Sequence, residues 1–434
     1  MIEIIITIIT ALVIIPFLFK YPEITFGLFL TAGFFKGDPR LQDFLPEFFD
    51  LTVFFGLIVV LSILCKILKK KLKISRIPNK LFLPYIILVF LMFVSLFYTE
   101  APIYGWDKFL RFITITTLAI FGPLFLFKDI KKLHRFLYTL ILVSSLTVIE
   151  SIISYSGIDG DFRTAFGSDY LSLGRMAGVA SLMIVYYFLT KNDELKIRFL
   201  WFLLFGLNFF GLLYGGGRAP VIAFFVMIII LGLFSLTPKI RINQAKIIKI
   251  AGGFILIGIM LFLLSPGLFS TLFDRINILF LQEKGGGSVA VRLNLYDSAI
   301  RAITENPIQG LGMGGFSFYH SGVDQRLHPH NILLEISTEI GIMGLISFLF
   351  LIGFCFFYLL KLRKIYKEQE KYYLITAILA LFIFMFLNAL VSGDINDNRL
   401  FFVWLGCAYS IRAILKIENT ISKDANDVTN EKTI

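Results

Sequence analysis

Apolar residues run along this chain in stretches close to 20 residues long, broken by short polar or charged segments. A helical stretch of about 20 apolar residues crosses the roughly 30 Å hydrocarbon layer of a bilayer. The pattern predicts an all-α integral membrane fold, with spans at 2–19, 22–35, 51–69, 81–98, 109–127, 133–155, 171–190, 197–214, 219–236, 247–266, 332–360, 371–391 and 399–415. The second stretch is short. It reads as a span or as a re-entrant or tilted hairpin with the first, so the count is 12 or 13. The chain then divides into a transmembrane bundle over 1–266, one large loop over 267–331, further spans over 332–415 and a polar tail over 416–434.

Composition agrees. The chain is 57% hydrophobic and 16% charged, against about 45–50% and 25% in soluble domains. Forty-nine phenylalanines suit a lipid-facing surface. Met1–Phe19 lacks a basic leader and a small-residue cleavage site, and reads as a retained helix. Cys65, Cys355 and Cys407 lie in apolar stretches without metal or disulfide spacing, and read as packing residues.

The net charge of +11 raises the question of a nucleic-acid partner, and its distribution answers no. Basic residues cluster in short loops: Lys66–Lys80, Lys128–Arg135, Lys191–Arg198, Lys239–Lys249 and Lys361–Lys371. That bias places these loops in the cytoplasm. Thr99–Asp107, Ser154–Tyr170, Gly215–Ala219, Pro266–Asn331 and Ser392–Asn398 then face outwards, and the C-terminal tail inwards. The N-terminus is outside with 13 spans and inside with 12.

The large loop is electrically neutral, so any anion site in it depends on placed residues. Gly285–Ser288 is a flexible break, and Val289–Glu305 reads as an amphipathic helix with Val289, Leu293, Tyr296 and Ile300 as its apolar stripe. Arg292 and Tyr296 share one face, Asp297 and Arg301 another. Asn306-Pro307 stops the helix. Gly310–Gly315 spells G-x-G-x-x-G but has no flanking βαβ unit, so it predicts a turn that permits close backbone approach. His320, His328 and His330 lie in the loop without the companions of a tetrahedral metal site; no metal or cofactor is expected. His320 and His328 read as solvated or capping residues, or as contacts to substrate. His330 precedes Asn331, a candidate helix cap, with Glu335 and Glu339 one and two turns deeper.

Charges near membrane depth complete the set. Arg218 follows three glycines and precedes Ala219-Pro220, where helix-terminal N–H groups favour an anion. An interfacial anchor is its alternative. Arg175 is a similar, weaker case. Arg399 could pair locally with Asp394 or Asp397, and Lys108 and Arg111 could anchor an aromatic belt beside Trp106. Arg218, Arg292 and His330 together suit a lipid-linked diphosphate and an incoming hydroxyl.

The ordered run Arg292, Tyr296, Asn306-Pro307, Gly310-Leu-Gly312, Gly315-Phe316, His330-Asn331, Glu339, Gly341, Gly344 resembles the signature region of the bacterial O-antigen ligase/polymerase family. Gly217-Arg218-Ala219 is similar to that family's upstream arginine. The motifs cover roughly 200–350. Two positions depart from the pattern: Tyr296 stands where tryptophan is common, and glycines where small hydroxyl residues precede the arginine.

The resemblance implies a metal-independent GT-C-like enzyme in the bacterial inner membrane. Such an enzyme moves a glycan from undecaprenyl diphosphate to an acceptor hydroxyl on the outer face, with inversion. It implies that Arg218 and Arg292 bind the diphosphate, that His330 is the base or orients the acceptor, and that Glu339 supports the helix or the histidine. Arg175, Lys108, Arg111, Tyr296, His328 and Arg399 are further substrate-binding candidates. The acceptor is a glycan or a lipid, and a chain-length regulator is an expected partner. The short polar tail disfavours a protein acceptor. The reading favours a polymerase, with a ligase as the alternative and a lipid-linked oligosaccharide flippase as the alternative of another class.

Overall fold

The computed structural model describes residues 14–44, 49–69, 77–154, 164–190, 194–235, 252–253, 263, 287–411 and 414–415. Every regular element among them is helical. In chain order the helices are α1 (Ile14–Lys20), α2 (Pro22–Thr31), α3 (Pro39–Phe44), α4 (Leu51–Leu68), α5 (Asn79–Ser95), α6 (Pro102–Leu126), α7 (Ile130–Ile153), α8 (Tyr170–Thr190), α9 (Leu195–Tyr214), α10 (Arg218–Ser235), α11 (Gly287–Glu305), α12 (Gly315–Ser321), α13 (Ile332–Ile365), α14 (Lys371–Ala389) and α15 (Arg399–Ile411).

Seven of these helices are long and apolar enough to cross a membrane: α4, α6, α7, α8, α9, α13 and α14. Helices α5, α10 and α15 are shorter apolar helices. The chain bends by 106° between Ile14–Lys20 and Pro22–Phe34, as the re-entrant or tilted reading of this region expects. Pro22 stands at the start of α2, where a missing N–H costs the helix nothing. Most of the predicted spans 2–19 and 247–266 lies outside the described residues.

Burial orders the bundle. The spanning window of α8 is 83% buried and that of α4 only 28%. Helix α15 is buried along its whole length from Leu400 to Ile411, as a helix that is apolar all round should be. So α8 and α15 are central, and α4 presents Val53, Leu57 and Leu64 outwards.

The span predicted as continuous over 332–360 breaks at Gly341, with φ +69° and ψ −168°. A break inside a span strands backbone polar groups, tolerated only where protein satisfies them. Here the outer loop does so. Leu311 N–H donates to the Thr338 carbonyl (2.8 Å), Gly312 N–H to the Glu339 carbonyl (2.9 Å), and Ile342 N–H to the Pro307 carbonyl (2.9 Å). The glycine-rich turn therefore makes the close backbone approach expected of it. Gly310, Gly312 and Gly314 all have positive φ. A Cβ at Gly312 would stand 2.7 Å from the Ser95 carbonyl oxygen, so Gly312→Ala is expected to destabilise the fold by about 1–3 kcal/mol. Thermal unfolding in detergent checks this, and an unchanged midpoint would contradict it.

The loop helix α11 forms where expected, and Arg301 pairs with Asp297 at 3.1 Å. Its packing face differs from the prediction. Leu295, Ser298, Ala299 and Ala302 are buried, whereas Leu293 and Ile300 are exposed. Small residues let α11 approach Phe316 closely, with Leu327 and Leu334 at the edge of the cluster.

Candidate active site

The histidine segment is set by the start of α13. Asn331 caps this helix as expected, its Oδ1 accepting from Leu333 N–H (2.9 Å) and Leu334 N–H (3.1 Å). His330 just before it has φ +56°, a conformation uncommon outside glycine and found disproportionately where function demands it. The rings of His328 and His330 meet edge to face, with centroids 4.4 Å apart.

A buried ion cluster joins α6 to α13. Lys108 of α6 is fully buried and contacts Glu335 at 2.5 Å and Glu339 at 2.7 Å, both on α13. The Glu335 carboxylate also accepts the Ile395 N–H at 3.2 Å. Lys108 is thus no belt anchor at a lipid surface, and Glu339 meets the lysine. The α6 backbone passes through a π turn at Phe112–Thr116. Asn396 braces this turn, donating to the Lys108 carbonyl and accepting from the Thr116 hydroxyl. Asp324 of the outer loop accepts from Ile103 and Tyr104 N–H at 2.8 and 3.0 Å. It fills the orphan donors at the N-terminus of α6.

Asp394 organises the next layer. Its Oδ1 accepts from the N–H groups of Asn396 and Asp397, and its Oδ2 faces Arg326 (3.5 Å), Arg111 (3.7 Å) and the Tyr104 hydroxyl (3.4 Å). Burial opposes its ionisation. Neighbouring His328, Arg326, Arg111 and Lys108 overcome that and hold the carboxyl at about 2. Arg326 grips Asp397 through both carboxylate oxygens, at 2.6 and 2.7 Å. This removes the local partner expected for Arg399.

Arg326 and Asp397 border a cavity of about 800 Å³, within the range of small-ligand sites. His328, His330, Arg111, Arg175 and Arg399 line it, together with Arg326. Leu30, Phe34, Val53 and Ile115 form an apolar wall. Segments from four loops or loop edges that the charge pattern assigns to one side of the membrane meet here. Arg218, Arg292, Tyr296, Lys108 and Glu339 are not among the lining residues. Arg292 nevertheless sits close enough to His330 and Tyr296 to act on their charge, and the Tyr296 hydroxyl points at the Leu390 carbonyl, 3.5 Å away. Arg218 opens α10 beside the start of α8, where Gly217 approaches Leu171 and Gly174 approaches Pro220. Its Nη1 is buried without a hydrogen-bond partner.

Both imidazoles are neutral at pH 7. Burial is the main cause, reinforced at His330 by the Arg292 guanidinium and by the cost of protonating two neighbouring rings together; His330 is pushed down to about 4. His320 takes no part and bonds the Ser298 hydroxyl at 2.9 Å. Among the described residues, no group of three or more His, Cys, Asp or Glu is arranged to hold a metal ion.

The segment that carries Arg218, the loop helix, His330 and the Gly341 break is also the one that matches a known family. Residues 202–349 match the O-antigen ligase family. A Rickettsia conorii protein with the provisional name polysaccharide ligase is 27% identical over 142 residues, which cover 30% of this chain and 32% of that protein. A Rickettsia typhi protein with the same provisional name is 24% identical over 276 residues, covering 60% of this chain and 64% of that one. The chain therefore spans less than two thirds of either curated relative it matches. The family's description and both names fit the ligase alternative better than the polymerase reading favoured from the sequence.

Glu335, Arg326, Asp394 and Asp397 were not singled out as site residues from the sequence. Glu335 carried a signal, because it lies four residues before Glu339 on the same helix face. Arg326 and Asp397 counted only as loop charge or as a local partner.

Proposed function

We propose that this protein is a membrane glycosyltransferase of the O-antigen ligase kind. It moves a glycan from undecaprenyl diphosphate to an acceptor hydroxyl on the outer face of the inner membrane. The observation that carries this reading is the cavity beside His330, bordered by cationic side chains from loops distant in sequence. Most of the charged residues at the cavity come from loops and loop edges that the charge pattern assigns to one side of the membrane, which favours transfer at a surface over a transport path.

In this mechanism the acceptor O–H gives its proton to the neutral His330 imidazole. The oxygen bonds to the anomeric carbon from the face opposite the diphosphate, with inversion. The anomeric C–O bond breaks, and its electron pair stays on the diphosphate. Arg218 and Arg292 hold the diphosphate and stabilise that charge. Neither has a carboxylate partner at salt-bridge distance among the described residues, so each is free to take an anion.

The deciding experiment incubates the purified protein with undecaprenyl-diphosphate glycan. Release of undecaprenyl diphosphate only when a second acceptor is added supports the ligase. Chain growth on the donor alone restores the polymerase, and no turnover with any acceptor sinks the transferase reading. Arg218→Ala and Arg292→Ala are each expected to lower transfer by about 10²–10³-fold, the usual effect of losing one charge-stabilising donor. Full activity in both variants would remove them from the mechanism.

A further inference from the structure

The cations at the cavity wall are not equivalent. Lys36 is paired with Asp50 at 2.8 Å, Arg111 with Asp107 at 2.7 Å, and Arg326 with Asp397. These pairs neutralise three lining cations with three lining carboxylates. The remaining lining carboxylate, Asp169, bonds the Ser172 hydroxyl, which in turn accepts from Arg175 Nη2 at 2.9 Å. Arg175 thus reaches Asp169 only through a hydroxyl. Arg399 has no carboxylate at salt-bridge distance among the described residues, and its Nη1 is buried with no hydrogen-bond partner.

Both guanidiniums are also given room. A Cβ at Gly393 would stand 3.6 Å from Arg175 Nη1, and one at Gly33 would stand 3.7 Å from Arg399 Nη2. Each arginine faces a glycine where any other residue would place a side chain. Guanidinium groups left unpaired in a cavity wall are strong, geometrically selective anion receptors.

We propose that Arg175 and Arg399 form a second anion subsite, which takes a phosphate or carboxylate carried on a sugar of the glycan or acceptor, separately from the diphosphate held by Arg218 and Arg292. The inference rests on the transferase reading and adds a substrate class to it: the enzyme selects an acidic saccharide. Two separate cation pairs let the protein hold the lipid diphosphate and a charged sugar at once. The ion pairs at Lys36, Arg111 and Arg326 line the same cavity as Arg175 and Arg399 without competing for the ligand. The apolar wall at Leu30, Phe34, Val53 and Ile115 offers an anion no alternative partner.

The test uses the full-length protein in lipid nanodiscs and measures binding of glucose, glucose 6-phosphate and glucuronate by calorimetry, with undecaprenyl diphosphate measured in parallel. At least one acidic sugar should bind about tenfold or more tighter than glucose, as expected for a desolvated bidentate contact. Preference for the phosphate or for the carboxylate identifies which anion the subsite was built for. Arg175→Gln and Arg399→Gln should each abolish most of that preference, with a much smaller effect on undecaprenyl diphosphate. Equal binding of all three sugars overturns the subsite. So does a pattern in which both variants lose undecaprenyl diphosphate and keep the acidic preference, because these arginines would then be the diphosphate clamp. Acidic preference without any undecaprenyl diphosphate binding upholds the subsite and sinks the transferase reading.

Discussion

Lys108→Met is expected to cost about 3–5 kcal/mol of stability, because removing one partner of a buried ion group leaves charge with nothing to neutralise it. The ammonium is wholly enclosed and contacts Glu335 and both oxygens of Glu339 at 2.5–2.7 Å. It has no route to water, and the two carboxylates have no other cation at that distance among the described residues. Its loss would leave Glu335 and Glu339 repelling one another on successive turns of α13. That helix begins at Asn331 and carries His330 on its threshold, so the damage should reach the site. The companion variant is Lys108→Met combined with Glu335→Gln and Glu339→Gln. It removes the charge altogether, lets the two amides bond each other, and keeps an acceptor for the Ile395 N–H. Thermal unfolding in detergent should show a large fall for the single variant and recovery of most of it in the triple variant. A single variant as stable as the native protein would mean that the cluster is not holding α6 to α13.

This cluster also marks where sequence reading stops. Spans are legible because twenty apolar residues have one physical explanation, and the α13 cap because an asparagine directly precedes an apolar run. The turn at Gly310–Gly315 was legible as a place of close approach. What it approaches was not, since the broken helix at Gly341 lies beyond the loop and a single glycine inside an apolar run looks like any other. The loop helix shows a different limit. Val289, Leu293, Tyr296 and Ile300 make the better hydrophobic stripe, yet the buried face is the small one at Leu295, Ala299 and Ala302. Hydrophobicity ranks faces by transfer energy, whereas close helix packing selects for size.

The candidate site divides in the same way. Guanidiniums without a carboxylate partner among the described residues, at Arg175, Arg218 and Arg399, sit where an isolated charge near membrane depth is hard to explain structurally, and that oddity is visible from sequence; Arg292 stood out only on the loop helix and by the family resemblance. Arg111 looked like the first three but has a carboxylate partner, Asp107, at 2.7 Å. Lys108 and Glu339 are 231 residues apart, and Arg326 and Asp397 are 71 apart. Pairings at that range depend on tertiary structure, and no local pattern carries them.

His330→Gly is expected to abolish most transfer, by about 10²–10⁴-fold, the usual contribution of a positioned acid–base group. Glycine is the informative replacement because His330 sits at φ +56°. Glycine adopts that conformation without strain, so the backbone leading to the Asn331 cap keeps its path while the imidazole disappears. Unfolding at an unchanged or higher temperature, together with lost transfer, would separate chemistry from folding. The pH profile gives a second readout. An ordinary imidazole is half protonated near 6.5, but burial, His328 and Arg292 lower that of His330 to about 4. Its base form in the free enzyme is therefore already complete at pH 6, and kcat/KM of the native enzyme should hold steady as pH falls from 7 to 5 and drop only as it nears 4. Stability runs the same way: the unfolded chain binds protons between 6.5 and 4 that the folded imidazole refuses, so folding weakens across that window as pH falls. An acid limb of kcat/KM centred near 6.5, or a His330→Gly enzyme with native rates, would place the base elsewhere. A low pKa also makes His330 a weak base for a sugar hydroxyl in the resting site. The negative diphosphate held by Arg292 would offset that arginine's charge once donor binds, and so raise the basicity of His330 when it is needed. The acid limb for the donor-saturated rate should accordingly lie at higher pH than the limb for kcat/KM.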